Sequence, residues 1–386
     1  MFTIEQYNTI SQKGLALLPG ELYQFSNSKS DAILLRSHKL HDMIITDKLK
    51  VVARAGTGTN NIPIERLQAH GIPVLNTPGA NANAVKELVI GALFLATRNL
   101  CDAWHVTKQL KGDDIVAQVE ALKKQFCGSE LPGKTLGVIG LGAIGVQVAN
   151  AAQALGMNVI AYDPQITVKN AWQLSAMIKY APTLEELLPH LDFLTLHIPL
   201  NEHTNSLINH ERLQKLPVRC SVLNFSRGPI VDSDAILSLL NDNRLKFYIT
   251  DFPTADLLTS DKVIALPHLG ASTLEAEDNC ALMAINNLRE FLELGNISHS
   301  VNFPNISLAK PNGYRLTVIN KNVPNMINQI SNALAKDKLN IIKMINKSHD
   351  DIAYSILDVD GVISDEMFSN LSRTEGLIRC RVIKSE

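Results

Sequence analysis

At 386 residues, with 46% apolar and 19% charged side chains, the chain has the make-up of an ordinary globular protein and the length for two or three domains. Its 36 basic and 38 acidic groups leave a net charge of −2 and form no Lys/Arg run, which argues against nucleic acid or an anionic membrane as partner. MFTIEQYNTI is not a secretory signal and no segment offers the ~18 apolar residues of a membrane span, so a cytoplasmic protein acting on a small molecule is expected. The cysteines (Cys101, Cys127, Cys220, Cys280, Cys380) are dispersed and lack a CxxC pair, so they read as reduced packing residues, with no metal site. Trp104 and Trp172 also read as packing residues.

In chain order, DAILLRS, KVVARAG and IPVLNTP read as strands and IPIERLQAHG as a helix ending on Gly71, which gives a small α/β lobe over residues 1–98. Long helices are predicted from Asn83 to Leu100 and from Ser272 to about Leu294, connecting this lobe to the next; residues 283–304 complete the first lobe. From Thr135, apolar strand-like runs (TLGVIG, NVIAYD, DFLTLHI, CSVLNFS, KFYITD, VIALPH) alternate with helical segments, the pattern of parallel strands joined by crossover helices, and define a doubly wound Rossmann domain over 99–282. Pro304 to Gly313 reads as a linker. Residues 313–386 then follow a βαββαβ order, the ferredoxin-like arrangement. The fold expected is α/β, with two Rossmann-like or flavodoxin-like doubly wound lobes and a C-terminal ferredoxin-like domain.

Gly140-Leu141-Gly142-Ala143-Ile144-Gly145 is a GxGxxG run between a strand and a helix, where glycines admit a tight turn and the helix N-terminus offers free N–H groups to a pyrophosphate. Asp163 stands at the end of the next strand, 21 residues after Gly142, placed to accept from an adenosine ribose. An acid there repels a 2′-phosphate, and Pro164 offers no cation to receive one, so NAD is expected rather than NADP. His197, Ser226-Arg227, Asp251 and His268 each follow a later strand-like run, where ligands of open α/β sheets bind. Oxidation of a hydroxyacid requires a cation for the carboxylate, a base for the hydroxyl proton and a carboxylate to hold that base. Arg227, His268 and Asp256 can supply these, although Asp256 equally suits a helix N-cap for DLLTS.

With ARAGTGTNNI, NTPGANANAVKEL, GKTLGVIGLGAIG, LHIPL, NFSRGPIVD and PHLGAST, the sequence resembles the D-isomer-specific 2-hydroxyacid dehydrogenases over roughly residues 30–300. The resemblance implies Arg227 as substrate-orienting cation, His268 as acid/base, and Ala143, Ile144, Phe225, Ser226, Asp251, Gly270 and Ala271 lining the NAD site. It implies Arg54, with the backbone of Ala55 and Gly56, as the contact for a phosphorylated substrate, D-3-phosphoglycerate. Glycerate, glyoxylate, 2-hydroxyglutarate and a non-catalytic NADH sensor are the alternatives. The family's third catalytic residue is a Glu; counting without a gap puts Asp256 there, and alignment on FPT puts Ala255. The C-terminal unit resembles an ACT regulatory domain, in which Asn320, Asn322 and Asn340 would hold L-serine as effector, and a homodimer or homotetramer is implied.

Overall fold

The computed structural model describes residues 1–384. It separates into two compact units, one formed by Met1–Ala80 with Glu277–Glu386 and the other by Asn81–Ala276.

In the first unit Phe2–Gln6 (β1), Tyr23–Phe25 (β2), Ala32–Leu35 (β3), Val51–Arg54 (β4) and Val74–Leu75 (β5) form a parallel sheet of order β2-β1-β3-β4-β5. This is the flavodoxin-like order. β3 is buried along its whole length, which explains the unbroken AILL run: a strand covered on both faces has no solvent side to alternate toward. Its core includes Ile4, Leu34 and Val51 and is closed by Ala284, Ile285 and Leu288 of the helix Leu274–Leu294.

The same unit holds a four-stranded antiparallel sheet of Tyr314–Lys321 (β13), Ile341–His349 (β14), Ile352–Val359 (β15) and Leu377–Lys384 (β16), in the order β14-β15-β13-β16. With the helices Met326–Lys336 and Asp365–Ser372 it makes the ferredoxin-like domain read from the sequence. Strand alternation divides its apolar residues in two. Leu316, Val318, Leu357 and Val359 pack with Ile330, Leu334, Met367 and Leu371 of the helices. Ile319, Ile352, Tyr354 and Ile356 join the core of the first sheet instead. The Tyr354 hydroxyl donates to the Gly295 carbonyl at 2.6 Å, and Arg379 donates to the carbonyls of Asp47 and Leu49.

The second unit contains the parallel strands Thr135–Ile139 (β6), Asn158–Tyr162 (β7), Lys179–Tyr180 (β8), Phe193–Leu196 (β9), Cys220–Asn224 (β10), Leu245–Thr250 (β11) and Val263–Ala265 (β12). Their order β12-β11-β10-β9-β6-β7-β8 is the Rossmann order with one further strand at the edge. The helix Ala82–Arg98, assigned from the sequence to the first lobe, belongs here, because Val85, Val89, Leu93 and Ala96 form one apolar stripe packed on Val138, Val146 and Ala149.

Some expected packing residues lie outside the core. Cys101 and Cys127 are exposed, as are Trp104 and Trp172, while Cys220 and Cys280 are buried. Cys101 and Trp104 sit on the helix Leu100–Lys108, which buries no residue; nor does the helix Ile115–Leu122 that follows. Among the described residues, no helix is long and apolar enough to cross a membrane and no cluster could hold a metal ion.

Candidate active site

The strand order reverses direction between β6 and β9, and the glycine loop lies there. Gly140 has φ +91, and a Cβ on it would lie 2.5 Å from the His197 carbonyl oxygen that follows β9. A Cβ on Gly145 would meet the Gly140 carbonyl at 1.8 Å, so these two glycines close the turn against helix and neighbouring strand. Gly142 differs: among the described residues nothing lies within 4 Å of its would-be Cβ, and it opens the helix Ala143–Ala154 with no side-chain cap. The space and the uncapped N–H groups beyond Gly142, Ala143 and Ile144 fit a pyrophosphate.

Asp163 steadies this loop. Its Oδ2 accepts from the Leu141 backbone N–H at 2.7 Å and its Oδ1 from Gln165 at 2.8 Å, and each carboxylate oxygen keeps acceptor capacity for a ribose hydroxyl. His197 shares a 3.0 Å hydrogen bond between Nε2 and Thr195 Oγ1, while its buried Nδ1 has no partner among the described residues. Burial pushes its pKa down to about 3, so the ring is neutral and offers a hydrogen bond rather than a charge to a bound cofactor.

On the other side of β9, the chain after β10 holds Phe225 buried, and the Ser226 hydroxyl donates to the Leu196 carbonyl at 2.6 Å. Arg227 is partly exposed; its guanidinium donates to the Ser226 carbonyl at 2.6 Å and lies 6.0 Å from the Phe252 ring centroid. Beyond β12, the His268 ring packs on the same Phe252 at 4.7 Å between centroids. Gly270 donates its N–H to Asp251 Oδ2 at 3.3 Å and, with Ala271, forms the adjoining turn.

Asp251 is 2% exposed, and its Oδ1 has no hydrogen-bond partner among the described residues. Burial pushes its carboxyl pKa up, opposed by the charges of His268 and Arg227. Asp251 is therefore the acid that the fold brings to the His–Arg pair. Asp256 is not: it is exposed, its side chain makes no hydrogen bond among the described residues, and its carbonyl receives Thr259 in the turn Leu257–Thr259. Leu257, 1% exposed, anchors that turn in the core and leaves Asp256 on the outside.

In the first unit, Arg54 ends β4, with Nε donating to the Arg36 carbonyl at 2.8 Å; Ala55 is buried and Gly56 partly so. Beside them, Arg36 pairs with Glu277 at 2.7 Å, and His38 stacks on Tyr7 at 4.2 Å. Tyr7, Arg36 and His38 carry no motif in the sequence, and their position after β1 and β3, beside the reversal of strand order in this sheet, is the signal that places them here.

The three asparagines expected to gather for an effector do not do so within one chain. Asn320 lies at the end of β13, donating to the Lys321 carbonyl at 2.7 Å, and Asn322 donates to the Asp350 carbonyl at 3.0 Å. Asn340 precedes β14 and is held by Asp360 at 2.8 Å. Because β13 and β14 both run antiparallel to β15, the end of one and the start of the other fall at opposite ends of the sheet.

Residues 90–270 match the family model described as the NAD-binding domain of D-isomer specific 2-hydroxyacid dehydrogenases. The D-3-phosphoglycerate dehydrogenase of Haemophilus influenzae is 33% identical over 362 residues, covering 90% of this chain and 85% of that one. The enzyme of the same name from Methanocaldococcus jannaschii is 35% identical over 77% of this chain, which spans 58% of its length. The NAD+-bound 3-phosphoglycerate dehydrogenase of Entamoeba histolytica matches with a TM-score of 0.60 at 26% identity, over 78% of this chain and 98% of that one. The chain belongs to the D-isomer-specific 2-hydroxyacid dehydrogenase family. Its Rossmann unit is the NAD-binding domain of an oxidoreductase.

Proposed function

We propose that this protein oxidises D-3-phosphoglycerate at C2 to 3-phosphohydroxypyruvate, the first step of phosphorylated L-serine biosynthesis. The observation that carries the reading is the convergence of Arg227, Asp251 and His268 beyond the ends of three adjacent strands, in the sheet that bears the dinucleotide loop. NAD, when bound, supplies the acceptor for the hydride leaving C2. Arg227 holds the substrate carboxylate and the oxygen that becomes the carbonyl. His268 takes the proton from the C2 hydroxyl, and the Asp251 carboxylate offsets the positive charge this places on the imidazole. A protein that only senses NADH has no need of such a set. NADH formation from D-3-phosphoglycerate, with the product trapped, tests the proposal; NAD binding without turnover would favour the sensor or another hydroxyacid.

Arg54 is the residue through which the phosphate ester is read in this proposal. Arg54→Ala is expected to raise KM for D-3-phosphoglycerate by about 10- to 100-fold, the worth of a lost charge-assisted hydrogen bond, and to leave turnover of 2-hydroxyglutarate unchanged. Equal losses on both substrates would remove the phosphate assignment.

We place the protein in the cytoplasm, and we read it as a homodimer or homotetramer, the latter supported by the exposed Leu100, Trp104, Val116 and Val119 on two helices that bury nothing. Trp104→Glu combined with Val116→Glu is expected to yield monomers in light scattering. For the C-terminal domain we propose an ACT-type regulatory role with L-serine as effector. Asn320 and Asn322 would meet it at one end of the sheet, and Asn340 would come from a second copy.

A further inference from the structure

At the amino ends of β10, β11 and β12, opposite the cofactor loop, the Rossmann unit carries a cavity of about 400 Å³. Arg219, immediately before β10, Lys246, the second residue of β11, and Lys262, immediately before β12, all line it. The three strands are neighbours in a parallel sheet, so these cations stand in a row across roughly 10 Å, two interstrand spacings. Asn99, Ser129 and Asn243 add amide and hydroxyl groups, and no Asp or Glu is among the lining residues. Glu130, Asp242 and Asp261 each adjoin a lining residue in the chain, and Asp192, on the same sheet edge, accepts the Thr135 N–H at 2.8 Å and lies 4.0 Å from Lys134.

The two lysines are held in place rather than left to roam. Lys246 donates to the Ala96 carbonyl at 2.9 Å and lies 5.2 Å from the Phe247 ring centroid. Lys262 donates to the Leu240 carbonyl at 2.5 Å and to Asn243 Oδ1 at 2.9 Å. Neutral acceptors fix their positions without cancelling their charge, and burial together with the charges of Arg219 and Lys134 pulls the Lys246 pKa down. Arg219 has a backbone φ of +70, unfavourable for a residue with a long side chain, and its guanidinium has no partner among the described residues. Two fixed lysines, an arginine at positive φ and a volume in the range of small-molecule sites line one cavity without a carboxylate among its lining residues.

We propose that this cavity is a binding site for a small phosphate-bearing metabolite, separate from the dinucleotide and substrate positions. Arg219 grips the phosphate with its planar fork, Lys262 and Lys246 supply point charges, and Ser129 and the asparagines meet the remaining polar groups. Because Lys246 is bonded to the last turn of the helix Ala82–Arg98, an occupant would be linked to that helix through a single side chain.

The test is calorimetric titration of inorganic phosphate into the full-length protein saturated with NADH, at low ionic strength, for the wild type and for Arg219→Gln with Lys262→Gln. The wild type is expected to show one phosphate site more than the double variant, or at least a tenfold tighter one, with NADH affinity equal in both proteins. Arg219→Gln alone is expected to keep the wild-type melting temperature without phosphate and to lose the rise that phosphate produces, which a purely structural arginine would not do. Identical phosphate binding in wild type and double variant, or no binding to the wild type, would overturn the proposal.

Discussion

Replacing His268 by Gln is expected to lower kcat for hydroxyacid oxidation by about a hundred- to ten-thousand-fold, the usual worth of a positioned acid–base group. NADH affinity should persist, because the glycine loop, Asp163 and His197 are untouched. Glutamine keeps hydrogen-bonding capacity and much of the side-chain volume over Phe252, so this packing is disturbed less than by alanine. Two companion variants locate the acid that works with His268. Asp251→Asn is expected to reduce kcat and alter its pH profile, since an amide beside the ring carries no charge to offset the imidazolium. Asp256→Asn should leave kcat unchanged, because that side chain stands exposed on a turn pinned by Leu257. A large loss in Asp256→Asn with normal Asp251→Asn would reverse the assignment.

The contrast between these two aspartates shows where the sequence is readable and where it stops. Gly140 and Gly145 were legible because steric necessity and strand–turn–helix geometry fix their spacing, and the structure uses both to close the turn; Asp163 stands at the strand end where the spacing put it, bonded to the glycine loop, and its ribose contact is part of the proposal. Asp256, placed by a count of residues, stands exposed just before the Leu257–Thr259 turn that buried Leu257 anchors, and the count does not reveal that position. The row formed by Arg219, Lys246 and Lys262 was invisible for a related reason. Each is an isolated cation in the chain, and only parallel pairing of three strands assembles them. Asn320 and Asn340 show the opposite case: plausible chemistry read together, then separated by strand direction. The ferredoxin-like order of the C-terminal domain was legible from its periodicity. The packing of one sheet face against the first sheet was not, because Ile319, Tyr354 and Ile356 read equally well as residues covered by the domain's own helices.

That packed face contains the site where a substitution is expected to cost the most stability. Arg315 is fully buried and cross-strand from Asp358, with Nε on Oδ1 at 2.7 Å and NH2 on Oδ2 at 3.1 Å. Its NH1 also donates to the Leu294 carbonyl at 2.8 Å, and NH2 to the Ala309 carbonyl, so one guanidinium ties sheet, preceding helix and linker together. Asp358→Ala would leave this cation buried without its counter-charge, and the expected loss is about 3–5 kcal/mol, read from chemical denaturation of the full chain. Arg315→Met with Asp358→Leu removes both charges and keeps apolar volume in their place. It should recover most of that loss, because desolvating the pair has already consumed much of its attraction, although the Leu294 and Ala309 carbonyls lose a donor. A single variant as stable as the wild type would mean that water reaches Arg315. A double variant as unstable as the single one would put the energy in the carbonyl contacts, making the guanidinium a clasp for the linker more than a partner for Asp358.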